Sequence, residues 1–232
     1  MTRTRFHQAL DDLRQELTAM GGMAERAMEL AIRAYARRDP SLCKQVFAGE
    51  RTINATERRL DELVLDLLAM QQPMAVDLRL ILAISKCNAD LERIGDQAVN
   101  IAECVEDLLG SPARDMPVDI PQMASVARTM LRRALNAFAA ADAAEAQAVL
   151  LLDDELDAMN DAAFTAVTGA IAKDPSFTRS LLNILIIARN LERIGDHATN
   201  IAEDVIFWVR GADVRHNVAP ETAATQPVPD AR

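Results

Sequence analysis

Hard-oxygen side chains recur at one-turn spacing in this chain, and such spacing can hold a cation. Glu92, Asp96, Asn100 and Glu103 occur in one run, and Glu192, Asp196, Asn200 and Glu203 repeat it. On a helix, at about 100° per residue, each set falls within about 80° of arc, opposite an apolar stripe. Carboxylates four residues apart repel unless a positive group lies between them. A multivalent cation is one such group, and the adjacent Arg93 or Arg193 is another. Two further pairs, Glu50 with Asn54 and Asp153 with Asp157, show the same spacing. Neighbouring helices could bring these stripes together as a surface set of oxygen ligands, suited to magnesium, manganese, calcium or iron. Against this stands the plain alternative that charged stripes opposite a core seam are solvated helix faces.

The sets lie inside a duplication. LERIGDQAVNIAE at 91–103 and LERIGDHATNIAE at 191–203 differ at two of thirteen positions, Gln97 for His197 and Val99 for Thr199. Upstream, the correspondence shifts to an offset of 103, with Tyr35 facing Phe138, Asp39 facing Asp142, Glu50 facing Asp153 and Asn54 facing Asp157. The second copy is therefore three residues shorter near Gln71 to Asp77. Near-identity extends to the outer, polar positions, where a merely solvated face would drift. Gly95 and Gly195 inside the repeated segment each cost a helix about 1 kcal/mol relative to Ala. Close approach of two helices is the simplest reason to keep them, as for Met20-Gly21-Gly22-Met23, where a bend is the alternative.

The elements that must position these residues are helices. Half of the 232 residues are apolar, yet only 3% are aromatic, and the abundance of Ala, Leu, Met, Glu and Arg favours helix over strand. Prolines and turn residues predict helices near 5–38, 41–71 and 75–109, then near 121–141, 143–172 and 175–210. Leu91, Ile94, Ala98, Ile101 and Val105 make the 3-4-3-4 seam of a bundle. The expected fold class is all-α, with two tandem three-helix bundles (six helices) related by a pseudo-twofold axis. The first bundle would span 5–110 and the second 121–210, joined by a linker at 111–120 that contains Pro112 and Pro117 with Pro121 adjoining, and followed by a disordered tail at 211–232.

Several functions are excluded or disfavoured. Twenty-five Lys and Arg against 35 Asp and Glu give a net charge of −10, which opposes adhesion to nucleic acid or anionic lipid. Cys43, Cys87 and Cys104 form no CxxC pair, and reduced cytosolic thiols packed as small apolar groups fit best. No apolar run approaches the roughly 20 residues of a membrane span, so the membrane would be reached only by docking on membrane proteins. No phosphate loop, HExxH, Glu-x-x-His pair or activated nucleophile occurs, so the chain is not expected to be an enzyme. His197 reads as a surface residue or a support to a ligand, and Trp208 as packing.

Met20-Gly21-Gly22-Met23, Gln72-Pro73 with Asp77-Leu78-Arg79, and the doubled Leu-Glu-Arg-Ile-Gly-Asp resemble the PhoU family of phosphate-transport regulators, over about 5–210. The resemblance implies a six-helix, cytoplasmic, often dimeric protein that negatively regulates phosphate uptake and the phosphate-starvation response. It implies partners too: the ATPase of the phosphate ABC transporter and a sensor histidine kinase. Some members bind multinuclear metal clusters through E(D)xxxD motifs. Glu92 with Asp96, Glu192 with Asp196 and Asp153 with Asp157 match that pattern, whereas Glu50 with Asn54 departs from it by one charge. The ion is left open among iron, manganese, magnesium and zinc. A metal-buffering or storage protein without a signalling role is the competing reading, and a plain helical dimerisation module is a third.

Overall fold

The computed structural model describes residues 3–70, 73–112 and 115–214. These form α1 (Arg3–Arg37), α2 (Pro40–Met70), α3 (Ala75–Leu109), α4 (Ile120–Ala140), α5 (Ala143–Leu150), α6 (Asp153–Lys173) and α7 (Thr178–Arg210), with a single 3₁₀ turn at Pro175–Phe177 before α7. No strand occurs among the described residues. Gln71 and Gln72, where the two copies differ in length, lie outside the described residues, as do 215–232 of the expected tail.

The helices stack in two layers. In one, α2, α3, α7 and the α5–α6 pair lie side by side; in the other, α1 packs on α2 and α3 while α4 packs on α7 and α5. The most extensive interface joins α3 to α7. These two run antiparallel, because Arg79 Nε donates to Trp208 O at one end (3.1 Å) and Arg179 reaches Asp107 at the other (2.9 Å). Leu91, Ile94, Ala98, Ile101 and Val105 are buried, and so are Leu191, Ile194, Ala198, Ile201 and Val205. They belong to one continuous core that runs through both repeats. Full burial of each Leu, Ile or Val among them stabilises the fold by about 1.5–3 kcal/mol.

The duplication is visible in turn geometry as well as in packing. Arg38 and Ala141, equivalent at the offset of 103, both take the left-handed conformation, with φ of 51° and 53°. The aspartate that follows each then restarts a helix. Asp39 accepts from Ser41 N–H, and Asp142 accepts from the N–H groups of Ala144 and Glu145, the bonds that satisfy orphan donors of a first turn. Arg38 also donates to the carbonyls of Leu108 and Ser111 (2.8 and 2.7 Å), which ties the end of α3 to the α1–α2 turn. At the far end, Gly211 closes α7 with φ of 70°, a backbone state that a side chain would strain.

One expected helix is divided. The segment read as continuous over 143–172 is interrupted at Leu151 and Leu152, where Leu152 N–H bonds to Val149 O in a tighter turn (3.0 Å). The restart turns Asp153, Asp154 and Glu155 into a helix first turn. There their negative charges meet the positive end of the helix dipole instead of crowding a helix interior.

Candidate functional site

Two glycines set the site. Gly95 and Gly195 are buried in α3 and α7. A β-carbon on Gly95 would stand 3.1 Å from Ile53 Cδ1, and one on Gly195 would stand 2.5 Å from Leu156 Cδ2. Close approach of two helices, the expected reason for these glycines, is what the structure shows. Ile53 lies between Glu50 and Asn54, and Leu156 between Asp153 and Asp157. Each glycine thus draws an acidic turn of α2 or α6 against the aspartate that follows it, Asp96 or Asp196.

In the second repeat three carboxylates converge. One oxygen each from Asp153, Asp157 and Asp196 lies within 4.8 Å of the others. Asp153 also accepts from Thr199 Oγ1 (3.1 Å), which fixes its orientation. Burial, together with the charges of Asp153 and Asp157, raises the pKa of Asp196 above its ordinary value. Asp157 is raised by burial and by Asp153, Asp154 and Asp161, and Glu192 by burial, Asp196 and Asp157. Three oxygens facing one another, with the proton affinity of Asp157 and Asp196 raised, form a hard-ligand set that a cation would stabilise.

The first repeat holds a related but different cluster. Burial, Asp96, Glu57 and Glu50 raise Glu92, while burial and Glu50 raise Asp96. Asn54 stands where the second repeat has Asp157, and its amide Nδ2 donates to Glu50 Oε1 at 2.5 Å. Its other atom, Oδ1, is buried with no hydrogen-bond partner. An orphaned carbonyl oxygen beside four acids is an acceptor whose missing partner a cation can supply. Both donor sets therefore fit a hard metal ion, the first with the Asn54 amide where the second has the Asp157 carboxylate.

Two of the expected ligands also bond to the neighbouring repeat. Asn100 Nδ2 donates to Asn190 Oδ1 (3.3 Å), and Asn200 Nδ2 donates to Asp90 Oδ1 (3.2 Å). These two amide nitrogens bond across the α3–α7 seam, Asn100 half-buried and Asn200 exposed. The buried Asp90 is also held 2.9 Å from His197 Nδ1. Glu103 and Glu203 are not among the acids that act on Glu92, Asp96, Glu192 or Asp196. Sequence reasoning overlooked Glu57, although its place one turn past Asn54 continues the same face. The buried Asp90 and Asn190 carried no such signal, because only the antiparallel pairing of α3 with α7 reveals what they meet.

The molecule is a duplicated helical body with an acidic cleft in each half. Comparison with known proteins makes the class specific. The PhoU domain model matches residues 17–105 and again 120–205, so the chain belongs to the PhoU family. It is 42% identical over 214 residues to the phosphate-specific transport system accessory protein PhoU homolog of Pseudomonas aeruginosa, covering 91% of this chain and 88% of that one. Identity to the phosphate-specific transport system accessory protein PhoU of Escherichia coli is 34%, with the same coverage of both chains. The crystal structure of PhoU from Pseudomonas aeruginosa superposes with a TM-score of 0.87 at 40% identity, covering 89% of this chain and 100% of that one. The phosphate transport system regulatory protein PhoU of Streptococcus pneumoniae superposes with a TM-score of 0.79 at 25% identity, over 90% and 99% of the two chains. Among the described residues no helix is long and apolar enough to cross a membrane.

Proposed function

We propose that this protein is a non-catalytic accessory subunit of a phosphate-specific transport system, acting in the cytoplasm as a negative regulator of phosphate uptake and of the phosphate-starvation response. It links the transporter ATPase to a sensor histidine kinase, works as a homodimer, and carries cations in its two acidic clefts. The names of its relatives support the transport role. The observation that carries the cation reading is the convergence of Asp153, Asp157 and Asp196 within 4.8 Å. Bound metal would neutralise repelling carboxylates on adjacent helices and so fix α6 against α7 and α2 against α3, a structural contribution that a regulatory surface can transmit.

Complementation tests the reading. In a strain deleted for the gene, the wild-type chain should restore repression of phosphatase expression and phosphate uptake in high phosphate, whereas an Asp96→Ala plus Asp196→Ala variant that is folded but metal-poor should not. Unaltered repression in the deletion strain would remove the regulatory role. Full repression by the metal-free variant would make the cations incidental.

A further inference from the structure

We infer that Thr199 is a positioning residue of the second cleft, whose hydroxyl aims Asp153 at the place a cation would take. Val99 stands at the equivalent position of the first repeat, so the second cleft loads first. The inference rests on the cation reading above and deepens it. Thr18, Thr56, Thr129, Thr165 and Thr168 turn their hydroxyls back to the carbonyl four residues earlier on their own helix, the local bond open to any helical threonine. Thr199 instead reaches across from α7 to α6 and donates from Oγ1 to Asp153 Oδ1 (3.1 Å). It stands one turn past Asp196. One stretch of α7 thus supplies both a ligand and the donor that holds the ligand opposite.

Asp153 needs such a tether. It opens α6 directly after the break at Leu151 and Leu152, and Asp157, one turn on, repels it. Unopposed, that repulsion turns the Asp153 carboxylate away from Asp157 and Asp196. A carboxylate offers about four lone-pair sites, so accepting one hydroxyl leaves the others free for an ion, and the three acids keep their oxygens within 4.8 Å. The first repeat is built differently. Val99 is half-buried, packs against the core and has no side-chain donor. Glu50, the counterpart of Asp153, is held by the Asn54 amide of its own helix (2.5 Å), a bond that runs along α2 and not across to α3. An ion entering the first cleft must gather its ligands as it binds, whereas one entering the second meets Asp153 already in place, and preorganised ligands bind more tightly.

Manganese titration of the purified full-length protein tests this, with each cleft silenced in turn. Asp96→Ala leaves the second cleft and Asp157→Ala leaves the first, and the Asp96→Ala protein should bind manganese the more tightly of the two. In the Asp96→Ala background, Thr199→Val keeps the side-chain shape and removes the donor. It should weaken manganese by about tenfold or more, while Thr199→Ser, which restores the hydroxyl, should stay within about twofold of the parent. In the Asp157→Ala background Thr199→Val should leave manganese affinity unchanged. Circular dichroism and urea unfolding in chelator show that each variant is folded, and a threonine that only packs would move unfolding without moving manganese affinity. Thr199→Val binding as well as its Asp96→Ala parent, Thr199→Ser binding as poorly as Thr199→Val, or tighter binding at the first cleft overturns the inference. A wild-type protein that binds no manganese would overturn the cation reading itself, and this inference with it, before any Thr199 variant is made.

Discussion

Gly195 of α7 holds Leu156 of α6 so close that a β-carbon at 195 would lie 2.5 Å from Leu156 Cδ2. The contact sits one residue from Asp196 and between Asp153 and Asp157, so packing and ligand geometry are set by the same pair. Gly195→Ala must displace Leu156, at an overpacking cost of about 1–3 kcal/mol against a helix-propensity gain of about 1 kcal/mol. We expect a net loss near 1 kcal/mol and manganese affinity lowered about tenfold. Urea unfolding and manganese titration measure the two separately. Gly22→Ala, with nothing within 4 Å of the added carbon and an exposed position in α1, should instead stabilise by about 0.5–1 kcal/mol.

The raised carboxylates fix the sign of a pH effect. Asp196 is raised by burial first, then by Asp153 and Asp157, with His197 and Arg193 opposing. A group whose folded pKa exceeds its unfolded value binds more protons folded, so its stabilising contribution is present at low pH and lost as pH rises through the folded value. In chelator, Asp196→Asn should therefore be more stable than the wild type at pH 7, and the gap should close as pH falls toward about 4. Manganese should reverse the order at pH 7. Thermal melts across this range decide the matter, and a wild type more stable than the variant in chelator at pH 7 would contradict it. The comparison is differential because Asp39, Asp107, Asp142 and Glu145 are lowered by their hydrogen bonds and shift overall stability the opposite way.

Asn54→Asp would give the first repeat the acid spacing of the second. Without metal, the added charge beside Glu50 should cost a few tenths of a kcal/mol or more. With manganese, the same variant should gain stability beyond the wild type and bind an additional ion or bind more tightly. Elemental analysis with differential scanning calorimetry reads both, and an unchanged ion content would argue against a cation site in that cleft.

Asp90 joins the repeats through Asn200 and His197. Asp90→Ala removes the acceptor from the half-buried His197 and the exposed Asn200 and should cost about 1 kcal/mol. Asp90→Asn preserves an acceptor and should cost less. Equal losses in urea would assign the role to charge and not to hydrogen bonding.

Most of this architecture is legible in the sequence because it depends on periodicity. Leu91, Ile94 and Ala98 announce α3, and Asp39-Pro40 and Asp142 announce the helix starts. The break at Leu151–Leu152 escapes such reading, since Ala143 to Lys173 contains neither proline nor an adjacent glycine at the turn. The acidic turns of α2 and α6 can be paired with Asp96 and Asp196 from spacing, but Asn100 and Asn200 cannot be assigned that way. On a single helix they share an arc with the acids; in the molecule that arc is divided between a cleft on one side and α3 or α7 on the other. A helical wheel has no representation of the neighbour.

The seam between α3 and α7 also records how far the two halves have become specialised. Lys86 faces Asp204 across it, while at the equivalent positions Ile186 and Cys104 stand in their places. If the second repeat paired with a copy of itself, the buried Asp204 would confront Ile186 and lose its cation; two first repeats would leave Lys86 opposite a thiol. The duplication has therefore passed from repetition to complementarity: each half now supplies what the other lacks, and neither is a spare copy.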